Sequence, residues 1–238
     1  MKFLDQIRGI TQQIHKEPKD IFADIVGYEE VKKVFHLILD SEESGNALLD
    51  GPPACAKSLF LQAMKRKYKD AFYTFAGNAS GVGMLDEVFD RKNTTHILID
   101  EIDGLKANDQ KALLNLIEEG ILQSTKVRKG YYKEFKNLKV FATCNNMNKL
   151  SKALRSRMFR ITLKEYTESQ FIEIATKIYL KKDPELVEYV AKAVWKVIGS
   201  KDIRDFKHIM KSAKNSDDAD TMIEVMLKYK PKEEEEDG

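Results

Sequence analysis

The sequence predicts an α/β fold: a parallel sheet flanked by helices, followed by a small all-helical domain. Five short runs of β-type composition, at 47–49, 72–75, 96–99, 140–143 and 159–163, alternate with stretches of helical periodicity, an order that calls for crossover connections and parallel strands. After Leu163 the strand signals stop and only amphipathic helical patterns remain. The chain is 238 residues long and 42% hydrophobic, enough for one large domain with a small one beside it at about 150 residues per domain.

Each element has a local reason. Residues 2–15 place Phe3, Leu4, Ile7, Ile10 and Ile14 at helical spacing, and Pro18 ends the pattern because proline disfavours helix in the residue before it. Residues 1–20 are therefore read as an N-terminal docking helix and linker. A second helical pattern covers Ile25 to Leu39, and the α/β domain is placed at 21–163. The helical domain, 164–230, opens on Thr167-Glu168-Ser169-Gln170, a capping box. A later helix starts at Asp183-Pro184, an N-cap followed by proline in the first turn. Residues 231–238 carry five consecutive acids and no apolar face, which predicts a solvated, disordered tail.

Composition excludes several classes. Aromatics are plentiful (1 Trp, 9 Tyr, 12 Phe), so the bulk of the chain is not disordered. Lys plus Arg number 40 against 38 acids, so any attraction for a polyanion must come from local clustering. The two cysteines, Cys55 and Cys144, have neither disulfide-framework nor zinc-site spacing. No apolar run approaches the roughly 18 residues that span a bilayer. These readings lead to the expectation of a soluble, cytoplasmic protein with no membrane partner.

The chemistry begins directly after the first strand, at Gly51-Pro52-Pro53-Ala54-Cys55-Ala56-Lys57-Ser58, which runs through Leu59 into a helical pattern. A strand, a tight loop and a helix N-terminus aim successive backbone N–H groups at an anion, as a triphosphate requires. Lys57 then meets the β- and γ-phosphates and Ser58 ligates magnesium. Ala54 and Ala56 stand where such loops usually have glycine; if either needs positive φ, alanine costs about 1 kcal/mol. The competing reading is an incidental turn before a helix. Further on, His96-Ile97-Leu98-Ile99-Asp100-Glu101 is an apolar strand ending in two carboxylates. Asp100 suits a magnesium shell and Glu101 suits polarising water, the alternative being two surface acids at a strand exit.

Together these residues resemble the AAA+ ATPases, with a Walker A motif at 51–58 and a Walker B motif at 96–101. The Walker A variant Ala-Lys-Ser resembles that of MoxR-type and minichromosome-maintenance ATPases. The resemblance extends over most of the chain and implies ATP and Mg as cofactors. It implies that Val26, Gly27 and Tyr28 line the adenine pocket and that Asn145, at the end of Phe141-Ala142-Thr143-Cys144-Asn145, is sensor 1. It implies that Arg157, in Leu154-Arg155-Ser156-Arg157, is an arginine finger reaching a neighbouring subunit's γ-phosphate, with Arg155 and Arg160 as alternatives. Arg204, in Lys201-Asp202-Ile203-Arg204-Asp205, is implied as sensor 2. The implied assembly is a homo-oligomer, a hexamer. Taken singly, Asn145 could cap a turn, and Arg157 or Arg204 could form ordinary surface ion pairs.

Two segments bear on what such a motor acts on. Residues 120–133 alternate as a hairpin does, with Lys129-Gly130 at the tip. From Lys126 to Lys139 six of the seven charged positions are basic (Lys126, Arg128, Lys129, Lys133, Lys136, Lys139), and Tyr131 and Tyr132 add stacking faces, the combination a nucleic-acid strand needs. This resembles the pre-sensor-1 hairpin of RuvB-type branch-migration motors; an unliganded basic hairpin or a contact with the next subunit is the alternative. The second segment, Ala79 to Met84, resembles in position a pore loop that grips polypeptide, with Val82 and Met84 in place of the usual aromatic, or else is a glycine-rich turn. The leading expectation is a nucleic-acid-handling ATPase contacting DNA directly or through a DNA-targeting partner. The alternatives are a MoxR-like chaperone acting on a client protein and a nucleotide-dependent assembly scaffold.

Overall fold

The computed structural model describes residues 20–77, 81–91, 93–124 and 131–229. The expected docking helix at 2–15, the hairpin tip with Lys126, Arg128 and Lys129, the side chains of Val82 and Tyr131, and the acidic tail lie outside the described residues.

The five predicted strands are all present: β1 (Gly45–Asp50), β2 (Phe72–Phe75), β3 (His96–Asp100), β6 (Lys139–Cys144) and β7 (Phe159–Thr162). They form one sheet in the order β2-β3-β6-β1-β7, with every pairing parallel. In a strand successive side chains point to opposite faces, and here that alternation feeds two separate cores. Leu48, Ile97, Ile99, Val140 and Ala142 face one, with Met84 and Val88 of α3 (Gly81–Asp90), Leu113 and Leu116 of α4 (Ala107–Glu119) and Leu154 of α5 (Lys152–Arg157). Ala47, Leu49, Leu98 and Phe141 face the other, with Phe35 of α1 (Glu29–Asp40) and Phe60, Leu61 and Met64 of α2 (Lys57–Lys67). Apolar burial on both faces explains why β1, β3 and β6 read as nearly continuous hydrophobic runs.

Helix α1 starts later than the periodicity from Ile25 suggested. Gly27 (φ +70) and Tyr28 (φ +59) are both left-handed, which delays the helix to Glu29. A side chain at Gly27 would be strained by φ and would have to displace the flexible end of Gln170, whose Nε2 lies 2.5 Å from where its Cβ would stand.

The hairpin strands β4 (Ile121–Ser124) and β5 (Tyr131–Glu134) pair antiparallel, as the alternation predicted. Two basic residues of the expected cluster are committed to backbone. Lys133 Nζ donates to the carbonyls of Val88 (3.2 Å), Phe89 (3.0 Å) and Arg91, which the end of α3 leaves without helical partners. Lys139 is buried and its Nζ donates to Ser41 (2.9 Å) and Glu43 carbonyls.

After β7 come α6 (Glu168–Ile178), α7 (Pro184–Ala193), a π-helical turn (Val194–Ile198), α8 (Ile203–Ser212) and α9 (Ser216–Tyr229). They share a third core drawn from Phe171 to Ile223. Both predicted starts are made as expected: Thr167 and Gln170 form a reciprocal capping box, and Asp183 accepts from Glu185 N–H at 3.0 Å ahead of Pro184.

Candidate nucleotide site

The loop after β1 turns sharply because Gly51 adopts φ +139, and a Cβ there would stand 2.5 Å from the Leu163 carbonyl, so only glycine passes. Both alanines take the left-handed conformation glycine usually fills, Ala54 at φ +64 and Ala56 at φ +62. Lys57 opens α2 and is buried; its Nζ donates to the Gly51 and Pro52 carbonyls at 2.5 and 2.8 Å. Burial lowers the pKa of that ammonium, with Asp103 and Asp50 among the groups opposing the shift.

Asp50, the last residue of β1, is a buried carboxylate. It accepts from Arg160 at 2.7 Å and Thr162 at 2.8 Å on β7. Burial alone would raise its pKa, but these donors outweigh it and hold Asp50 below the ordinary value. Arg160, about half exposed, is thereby paired within its own chain, as Arg157 is with Glu118.

At the end of β3, Asp100 is buried and collects three hydrogen bonds: Ser58 at 2.9 Å and Thr143 on Oδ1, Tyr73 at 3.0 Å on Oδ2. Burial and the Asp100 charge push the Tyr73 phenol up to about 12, which keeps it a donor to the carboxylate. Glu101 follows at φ +54, a left-handed residue whose N–H donates to Thr143 Oγ1 at 2.9 Å. Asp103 accepts from the backbone N–H groups of both Asn145 and Asn146 at 3.1 Å, tying the β6 exit to the β3 exit.

These pieces surround one cleft of about 430 Å³. Pro53 to Leu59 line it from the loop and α2, Glu101 and Asn145 from the strand exits, and Asp202, Ile203, Arg204 and Lys207 from α8. Residues far apart in sequence thus converge on the phosphate loop. Arg204 is steered by its helix cap, since its N–H and Nε donate to Asp202 at 2.8 and 2.7 Å. Asp202 and Lys207 went unrecognised in the sequence; for Lys207 the available signal was its position one helical turn beyond Arg204.

Other expected site residues fall elsewhere. Val26, Gly27 and Tyr28 are not among the residues lining this cleft, but Tyr28 packs beside Cys55, which is. The Tyr28 hydroxyl donates to the Lys164 carbonyl at 2.7 Å, and its ring packs 5.2 Å from that of Tyr166, beside buried Cys55. Met84 is 2% exposed and packs in the core on α3, so it cannot grip a substrate. Its spacing to Val88 is a helical repeat, and the segment from Gly81 is helix rather than loop. Arg157 lies outside its own subunit's cleft at the end of α5, about half exposed, with Nε donating to Glu118 of α4. Tyr132 is 61% exposed on the hairpin.

A family model described as "ATPase family associated with various cellular activities (AAA)" matches residues 47–166, half of the chain. The chain belongs to the AAA family. Among curated proteins, this AAA chain is 34% identical over 105 residues to "ATPase WRNIP1" of Dictyostelium discoideum, covering 41% of this chain and 12% of that protein. It is 25% identical over 230 residues to the Lon protease of Leptospira interrogans, covering 83% of this chain and 27% of that protein. The chain therefore spans 12% and 27% of the lengths of these curated relatives. Among solved structures, a point mutant of RuvB from Thermotoga maritima matches with a TM-score of 0.67 over 89% of this chain and 74% of that one, at 20% identity. A structure named as the RuvB Holliday junction branch migration motor of the same organism matches at 0.57, over 84% and 70%, at 19% identity. At such identity the shared property is the AAA+ fold: a five-stranded parallel sheet with helices on its faces and more helices behind it. No described helix is long and apolar enough to cross a membrane.

Proposed function

We propose that this chain is a Mg-dependent ATP hydrolase that works as an oligomeric ring, a hexamer, on nucleic acid. The observation that carries the reading is the single cleft on which the loop 53–59, Glu101, Asn145 and Arg204 converge.

The residues suit the cofactor. Ser58 gives its hydroxyl proton to Asp100, which leaves the serine lone pairs free, and oxygen donors of this kind are what magnesium takes. Bound there with the substrate's phosphates, the ion supplies charge neutralisation on the transferring phosphoryl group. The chain's own residues do the rest. Lys57 exchanges its carbonyl partners for phosphate oxygens, and the N-terminus of α2 adds backbone N–H groups. Glu101 accepts the proton of the attacking water and Asn145 orients that water. Arg204 and Lys207 bring cations from the helical domain, linking that domain's position to the nucleotide. Arg157, about half exposed and outside its own cleft, exchanges Glu118 for the γ-phosphate in a neighbour's site on this reading.

For the substrate, the basic hairpin and exposed Tyr132 favour a nucleic-acid strand. The polypeptide-remodelling alternative has the Lon match on its side, but it loses Met84 as a gripping residue. The test is ATP turnover measured with single-stranded DNA, branched DNA, RNA and unfolded protein, each at two salt concentrations. Stimulation by DNA that falls steeply with salt supports the reading; stimulation by unfolded protein alone refutes the substrate assignment.

A further inference from the structure

We infer that Thr143 is the positioning residue that sets the catalytic orientation of Glu101, an inference that rests on the hydrolase reading of the cleft. Thr143 does not line the cleft and is 1% exposed, so it touches no substrate. Its single hydroxyl nevertheless holds both acids at the end of β3. It donates its proton to Asp100 Oδ1 and accepts the Glu101 backbone N–H at 2.9 Å. Because the proton is committed to a carboxylate that can only accept, the lone pair facing Glu101 is fixed as an acceptor, and the polarity of the relay cannot reverse.

Glu101 needs such a hold. At φ +54 it sits in the left-handed region that a residue with a Cβ avoids, and its side chain forms part of the cleft wall only while that twist persists. The twist turns the chain from β3 into the short helical turn at Ile102–Gly104, and Gly104 N–H closes on the Glu101 carbonyl at 2.8 Å. The carbonyl is thus held by the turn and the N–H by Thr143. The link also crosses strands. Thr143 lies near the end of β6, two residues before Asn145 at the strand exit, so one buried hydroxyl registers the exit bearing the water-orienting amide against the β3 exit bearing the base.

The test compares Thr143→Val, which keeps the shape and removes the hydroxyl, with Thr143→Ser, which keeps the hydroxyl. Thr143→Val should lower kcat about 10- to 100-fold, in the range of a misplaced general base, with ATP Kd changed less than threefold. Thr143→Ser should return kcat to within about threefold of the parent. A double-mutant cycle with Glu101→Gln separates positioning from general weakening. If Thr143 acts through Glu101, adding Thr143→Val to Glu101→Gln costs no further turnover, whereas an independent structural role would multiply the two losses. Should Thr143→Val fail to fold, Thr143→Ala in the same cycle reads the same coupling. A parent whose turnover is indifferent to Glu101→Gln overturns the hydrolase reading and this inference with it. A Glu101-dependent parent whose Thr143→Val variant turns over normally, or whose losses multiply, overturns the inference alone.

Discussion

Replacing Ala54 and Ala56 by glycine, one at a time, should have unequal effects, although both alanines are left-handed (φ +64 and +62). Relief of the left-handed conformation stabilises by about 1–2 kcal/mol at either position. Glycine gives back about 0.4–1 kcal/mol through the greater freedom of the unfolded chain. At Ala54, half-buried on the cleft wall, nothing else changes, and the net is a gain of about 0.5–1 kcal/mol. Ala56 is only 9% exposed and its methyl belongs to the core between α1, α2 and the sheet. Losing that methyl costs about 0.8 kcal/mol more, which brings the Ala56→Gly change to about zero. For a chain of this size each kcal/mol moves Tm by about 2–4 °C, so Ala54→Gly should raise Tm by about 1–4 °C and Ala56→Gly should leave it nearly unchanged. Thermal and urea unfolding of the parent and both variants reads the difference. A fall in Tm for Ala54→Gly, or a larger rise for Ala56→Gly, would refute the account of where the loop is strained.

Arg157→Ala should lower turnover by about 10³-fold with ATP affinity intact, and a mixed assembly with Glu101→Gln subunits should recover activity, since each lacks what the other supplies. A loss confined to affinity would mean a different arginine acts. Arg160→Ala leaves the buried Asp50 carboxylate short of its main donor and should cost about 1–3 kcal/mol at neutral pH, below the figure for a fully buried pair because Arg160 is half exposed. Because Asp50 has a depressed folded pKa, the stability it contributes is present above the ordinary value of 3.8 and is lost as pH falls through the lower folded value. Parent and Arg160→Ala unfolding curves should therefore converge below that pH; a constant gap would assign the loss to packing. Reversing charge at Lys126, Arg128 and Lys129 should abolish stimulation by DNA, whereas Lys133→Met should cost about 1 kcal/mol of stability and leave stimulation unchanged. Equal effects of the two changes on stimulation would show that the ammonium bound to the α3 carbonyls also reaches the ligand.

β1, β3 and β6 were legible to within two residues because burial on both faces leaves a run of apolar side chains, whereas β2 and β7 at the sheet edges are partly exposed and were legible from their place between helical stretches. The phosphate loop was legible because its chemistry is local: a glycine that must bend, a lysine and a serine at the mouth of a helix. Met84 was misassigned by its place relative to Walker B, although its helical spacing to Val88 already indicated a core residue. Lys133 and Lys139 read as part of a basic cluster, since composition does not reveal which carbonyls a fold leaves without partners.

Local rules therefore determined this protein's α/β class, the starts of α6 and α7, and the loop at the mouth of α2, each set by residues close together in the chain. Only tertiary structure decided that Arg160 is paired with Asp50, that Tyr28 turns to Lys164 and Tyr166, that Arg204 and Lys207 reach the cleft lined by residues 53–59, and that Thr143 accepts the Glu101 N–H. Those assignments join residues that lie on different elements, up to 136 positions apart. A side chain's partner at such separation depends on strand order and register, which no short stretch of sequence encodes.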